Sequence, residues 1–269
     1  KSNSFMKDFF LFLTAYGINN SREDRQKVNM DTFTSFSVVA LAALIHASFQ
    51  LGVSTVTLLS SHATGKKENP KKTLRLVGAF LGGTIVITTL LTFTLLYATT
   101  ALDIWQKPTL LWSVVCGVLA GLGALVWLAY YRRGSGTPLW IPRVFARFLT
   151  DRVRSTTLSV EAFSLGLTAV VAEIPFMIAP MVTAALALTF LPPELQVLGA
   201  LGYIMIASLG ILIVTMLIGS GHNISHIQRW REHNKRFLQF AAGSGLIILS
   251  FYLYANQVAT VAVAGAGIQ

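Results

Sequence analysis

Glu173 lies in Leu-Gly-Leu-Thr-Ala-Val-Val-Ala-Glu-Ile-Pro-Phe-Met-Ile-Ala-Pro (165–180), where every other residue except Thr168 is apolar or small. An ionised carboxylate in such surroundings costs a few kcal/mol at bilayer depth, so it needs a partner or a proton. His46, in a separate apolar run, is the titratable candidate at comparable depth. Gln50 follows four residues later, which puts it on the same helix face as His46. An acid and an imidazole brought together there could load and release a proton near neutral pH. Ser48 and Ser54 would add hydroxyls able to hold a polar solute.

The elements that must position these side chains are membrane helices. The chain has 269 residues, 54% hydrophobic and only 12% charged, about half the charge of a soluble domain. Its apolar residues are gathered into runs at 33–59, 76–99, 109–131, 160–191, 197–220 and 237–257. Each reaches about the 20 residues needed to cross the hydrocarbon core, and none alternates as a barrel strand would. The expected fold is an all-α membrane protein of six transmembrane helices.

The net charge of +10 could suggest nucleic acid, but its distribution argues otherwise. Lys66, Lys67, Lys71, Lys72 and Arg75 fall between runs one and two; Arg132, Arg133, Arg143, Arg147, Arg152 and Arg154 fall between three and four. Arg229, Arg231, Lys235 and Arg236 fall between five and six, whereas segments 100–108 and 192–196 hold only Lys107. Basic residues in alternate loops are the positive-inside pattern. It predicts a multi-pass protein of the cell membrane with both termini extracytoplasmic, membrane lipids as its surroundings and no nucleic-acid partner.

The two halves resemble one another. His46-Ala-Ser-Phe-Gln-Leu set against Glu173-Ile-Pro-Phe-Met-Ile aligns Phe49 with Phe176, and Leu-Val-Gly-Ala-Phe-Leu-Gly (76–82) resembles Val-Leu-Gly-Ala-Leu-Gly (197–202). Three spans per half make a 3+3 inverted-topology repeat, whose sites lie at the midplane between the repeats. Runs one and four are overlong, so helices one and four are expected to be broken. Pro175 and Pro180 each remove a backbone donor in run four, and Gly52 weakens run one. The expected divisions are an extracytoplasmic segment with an interfacial helix (1–32), a first repeat (33–131), a basic amphipathic cytoplasmic linker (132–159), a second repeat (160–257) and a tail (258–269).

This architecture resembles the LysE superfamily of small membrane exporters. Ala-Glu-Ile-Pro-Phe-Met-Ile-Ala-Pro (172–180) is also similar to the Pro-Cys-x-x-Pro segment of the related DsbD/CcdA thiol carriers, with Glu173 where the redox cysteine would stand. The sole cysteine is Cys116, so thiol exchange is excluded. The Pro-Gly-Pro of the exporters and the paired acids of their manganese-exporting members are missing too. The resemblance implies a scaffold and a site location, not a substrate.

Other signals carry less. His222 and His226 are four apart, yet basic residues crowd them, which opposes a metal. Arg143, Arg147 and Arg154 belong to a basic amphipathic segment suited to a lipid surface. Gly78-x-x-x-Gly82 and Gly117-x-x-x-Gly121 let helices approach closely and could serve a homodimer. The function expected is proton-coupled export of a small polar or cationic solute, with no cofactor. An intramembrane enzyme or haem- or metal-binding protein, and a lipid- or partner-binding module without transport, stand as alternatives.

Overall fold

A computed structural model describes residues 30–49, 52–63, 70–102, 108–130, 151–220 and 233–259. Among them there is no strand. The helices are α1 (Thr32–Ser48), α2 (Gly52–Ala63), α3 (Pro70–Ala101), α4 (Pro108–Tyr130), α5 (Ser159–Leu188), α6 (Pro193–Ala207), α7 (Leu209–Gly219) and α8 (Lys235–Leu253). A π-helical turn, Tyr254–Ala259, extends α8. The expected interfacial helix, most of the basic linker and the tail lie outside the described residues.

Helix starts follow local chemistry. Asp31 caps α1, its carboxylate accepting the Thr34 N–H at 3.4 Å, and the Thr34 side chain, with that N–H as a lesser cause, holds its carboxyl below the usual carboxylate range. Proline opens α3, α4 and α6, where its missing donor costs nothing. Glu161 Oε2 accepts the N–H groups of Thr157 (2.9 Å) and Leu158 (3.1 Å) at the start of α5, so this carboxylate is a helix cap. Within the apolar helices, Thr84, Thr92 and Thr183 return their hydroxyls to the carbonyls of Phe80, Thr88 and Ala179, which removes the cost of a bare hydroxyl.

Four helices, α3, α4, α5 and α8, are long and apolar enough to cross a membrane, and two bent pairs bring the total to six if each pair is one span. Large apolar side chains such as Leu90, Val114, Leu128, Ile248 and Phe251 are exposed, the surface expected of helices that face lipid. The described residues are therefore those of a helical membrane protein.

The central helix is α5, which packs on α1, α3, α4 and α6. At its crossing with α3, a Cβ on Gly166 would meet the Phe80 carbonyl oxygen, and one on Gly83 would meet that of Phe163. Backbone lies directly on backbone there. Helices α4 and α8 cross in the same way through Gly123 and Gly243. Trp127 stacks on Phe240 with centroids 5.5 Å apart, and Ser250 donates to the Cys116 carbonyl at 2.8 Å.

Two expectations need correction. Helix four is not broken: α5 runs continuously through Pro175 and Pro180. The helix holds its course because its neighbours pack against it along most of its length, and prolines in membrane helices are tolerated in such packing. The second bend falls instead between α6 and α7, by 55° at Ser208. Ser208-Leu-Gly210 supplies the serine and glycine that permit a sharp kink. The other correction concerns glycine. Gly78, Gly117 and Gly121 have no atom within 4 Å of a Cβ position, so among the described residues they make no close helix approach.

Gly166→Val is therefore expected to destabilise the fold by about 1–3 kcal/mol, since the Phe80 backbone cannot yield. Gly117→Val should be near neutral. Thermal unfolding of the two purified variants against the parent chain measures the contrast, and equal losses would contradict the packing described.

Candidate functional site

Helix α1 ends deep in the apolar core. Ser48 Oγ donates to the Ile45 carbonyl at 2.6 Å, and the Phe49 N–H turns back to the His46 carbonyl at 3.1 Å. The helix resumes at Gly52, and the two pieces are bent by 44°. A Cβ on Gly52 would stand 2.5 Å from Ile211 Cδ1, the end of a flexible side chain, so a larger residue there would make Ile211 shift.

A helix that begins inside the membrane exposes amide donors with no water to satisfy them. Glu173, midway along α5 and 3% exposed, answers this need. Its Oε1 accepts the Gly52 N–H at 3.0 Å. The carboxylate thus sits at the positive end of the α2 dipole and receives a charge-assisted hydrogen bond. Phe176, one helical turn further on, stacks against Phe49 with centroids 5.8 Å apart. These are the two phenylalanines that the alignment of the halves pairs.

His46 has a different partner. Its Nδ1 lies 2.9 Å from the Tyr203 hydroxyl of α6, and both residues are buried. The structure thus bonds Glu173, carried by α5, to the start of α2, and His46, on the last turn of α1, to Tyr203 of α6. The expected acid–imidazole pair is replaced by two contacts on either side of one gap.

The remaining candidates divide. Ser48 and Ser54 are exposed; the Ser48 hydroxyl returns to its own helix, and the Ser54 carbonyl accepts the Thr57 hydroxyl at 2.8 Å. Gly52 is at the break, as expected, whereas Pro175 is exposed and Pro180 buried within unbroken α5. Arg154 is exposed in the short helical stretch 151–155. Gln50, Arg143, Arg147, His222 and His226 lie outside the described residues. Among the described residues, no three of His, Cys, Asp and Glu cluster as metal ligands would.

Sequence reasoning missed Tyr203 and Ser208. A phenol and a serine five residues apart inside the run 197–220 were a readable signal. Tyrosine, however, passes as apolar when runs are counted, and its polar tip becomes informative only when it is buried.

The geometry defines a membrane protein with a buried carboxylate capping a half-helix in mid-core. No protein-family model, curated protein or solved structure matches the chain.

Tyr203→Phe strands the His46 nitrogen and should cost about 1–3 kcal/mol. Combined with His46→Phe, which removes the group left unpaired, the double variant should recover part of that loss. A thermal-melt double-mutant cycle reads the coupling, and simple additivity would disprove a direct bond.

Proposed function

We propose that the protein is a proton-coupled secondary transporter that exports a small polar or cationic solute through a midplane site at the break between α1 and α2. The observation that carries this reading is the Glu173 carboxylate, buried at the middle of α5 and bonded to the first N–H of α2. Ionised, Glu173 holds α2 through charge and dipole; protonated, it loses the charge and most of that hold. One proton thus biases a bent element between two positions, which is what coupling requires.

The packing pattern supports a 3+3 inverted repeat. The α1–α2 pair, α3 and α4 form the first half, and α5, the α6–α7 pair and α8 form the second. Exchanging the halves maps the α3–α5 contact onto that between the two bent pairs, and α1–α8 onto α5–α4. It also maps α2–α3 onto α5–α6 and leaves the α4–α8 contact in place. Phe49 touching Phe176, and Gly123 touching Gly243, are the contacts expected of equivalent residues lying on the pseudo-two-fold axis. A site at that axis is where inverted-repeat transporters bind their cargo. In this reading the six crossings place the basic loops in the cytoplasm of a cell-membrane protein, on a scaffold like that of the LysE exporters.

The test is proton flux in proteoliposomes loaded with a pH-sensitive dye, under gradients of small ammonium and guanidinium compounds. The parent chain should move protons against the solute in at least one case. Glu173→Gln should abolish this pH-dependent flux while keeping the monodisperse elution of a folded protein. Full activity of the folded variant would end the proposal.

A further inference from the structure

Three contacts stack in order along the bundle. His46 Nδ1 lies 2.9 Å from the Tyr203 hydroxyl on the last turn of α1, Phe49 stacks on Phe176 where that helix closes, and the Gly52 N–H bonds Glu173 at the start of α2. From Phe49 to Gly52 the partner on α5 moves back from Phe176 to Glu173, so α5 runs antiparallel to the first pair. The order in the chain is therefore the order in space. Seen from the end of the bundle where α1 begins, Glu173 lies behind two buried layers, the His46–Tyr203 pair and then the Phe49–Phe176 rings.

The core changes character at this height. Phe49, Phe176 and Met177 belong to one buried apolar cluster, and Val53, Phe80, Ala169 and Ile211 belong to another. A domain ordinarily has one contiguous core; this one divides beside the carboxylate. The second cluster is built on the crossing of α3 and α5 at Gly83 and Gly166, where backbone lies on backbone and cannot part unless a helix moves. The two layers on the other side are closed by side chains alone: two phenyl rings, and a phenol sharing one hydrogen bond with an imidazole. Side chains turn aside by changing rotamer, far faster than helices move. Tyr203 is also carried by α6, and the 55° bend at Ser208, with Gly210 two residues on, gives that helix a pivot.

Resting on the transporter reading above, we infer that His46, Tyr203, Phe49 and Phe176 form a gate, closed in this structure, through which Glu173 is reached from the end of the bundle where α1 begins. They are positioning residues that decide when water and solute meet the carboxylate. A barrier that opens on one side while the other stays packed is what alternating access requires.

Val53 follows Gly52 in α2 and is buried on the Glu173 side of both layers, so it can report on the gate. Val53→Cys is made in the full chain carrying Cys116→Ala, where it is the sole thiol. Its reaction with a small cationic methanethiosulfonate is timed in detergent. Leu249→Cys, buried on α8 away from the gate, is the control in the same background. With the gate intact both should react slowly. Tyr203→Phe, which keeps the ring and loses the bond, should speed the Val53→Cys reaction about tenfold, and Phe49→Ala should speed it further. Leu249→Cys should not change, and Phe49→Leu, which refills the layer, should return the rate towards the parent's. The inference is overturned if Val53→Cys reacts as fast with the gate intact as in Tyr203→Phe, or if Leu249→Cys accelerates with it, which marks general loosening. Either result, alongside proton flux lost in Glu173→Gln, removes the gate and leaves the transporter reading standing. Selective acceleration at Val53→Cys, with proton flux intact in Glu173→Gln, keeps the gated route and removes the transporter reading.

Discussion

A carboxylate and an open helix end are each expensive in hydrocarbon, and in this protein each cancels much of the other's cost. Glu173 needs donors, because no basic side chain occurs in the apolar runs. The start of α2 has amide donors, and the Gly52 N–H finds its acceptor in Glu173. The 3.0 Å bond between them joins the two needs. Remove the break and the acid loses a donor; remove the acid and the helix end is left bare in the core. The bend in the first pair and the buried charge therefore depend on one another.

That arrangement needs a rigid frame, and α5 provides it. Its crossing with α3 brings backbone onto backbone through Gly83 and Gly166, so the carboxylate is carried by a closely packed helix. The same enclosure lets α5 run through two prolines without breaking. The bent pairs lie beside this frame, tied to each other by His46 and Tyr203 above the gap and by Gly52 and Ile211 below it. A two-part element leaning on a fixed one is suited to switching, since only its few inter-element contacts need to exchange.

Much of this was legible in advance. The apolar runs mark the helices because hydrocarbon demands about 20 apolar residues per crossing whatever the neighbours are. Glu173 stood out because charge is so costly in such a run, and Gly52 marked a weak point in the first. Pairing Phe49 with Phe176 by alignment found two rings that touch. The Gly-x-x-x-Gly patterns mark a smooth face without saying what covers it, and among the described residues the closest crossings lie elsewhere. Gly83, Gly166, Gly123 and Gly243 make the close crossings, and they belong to no such pattern within their own helices.

The sequence by itself determined the apolar lengths, the distribution of basic residues, and the placing of one acid in a run without lysine or arginine. These are properties of residues against a solvent, and they can be summed along the chain. Only the tertiary structure decided that His46 pairs with Tyr203, that Glu173 caps α2, and that the second bend falls at Ser208 while the prolines of α5 stay in line. Those outcomes depend on which helix lies against which, and at what height. Hydrogen bonds act over about 3 Å, so a shift of one residue in register would hand each of these groups a different partner.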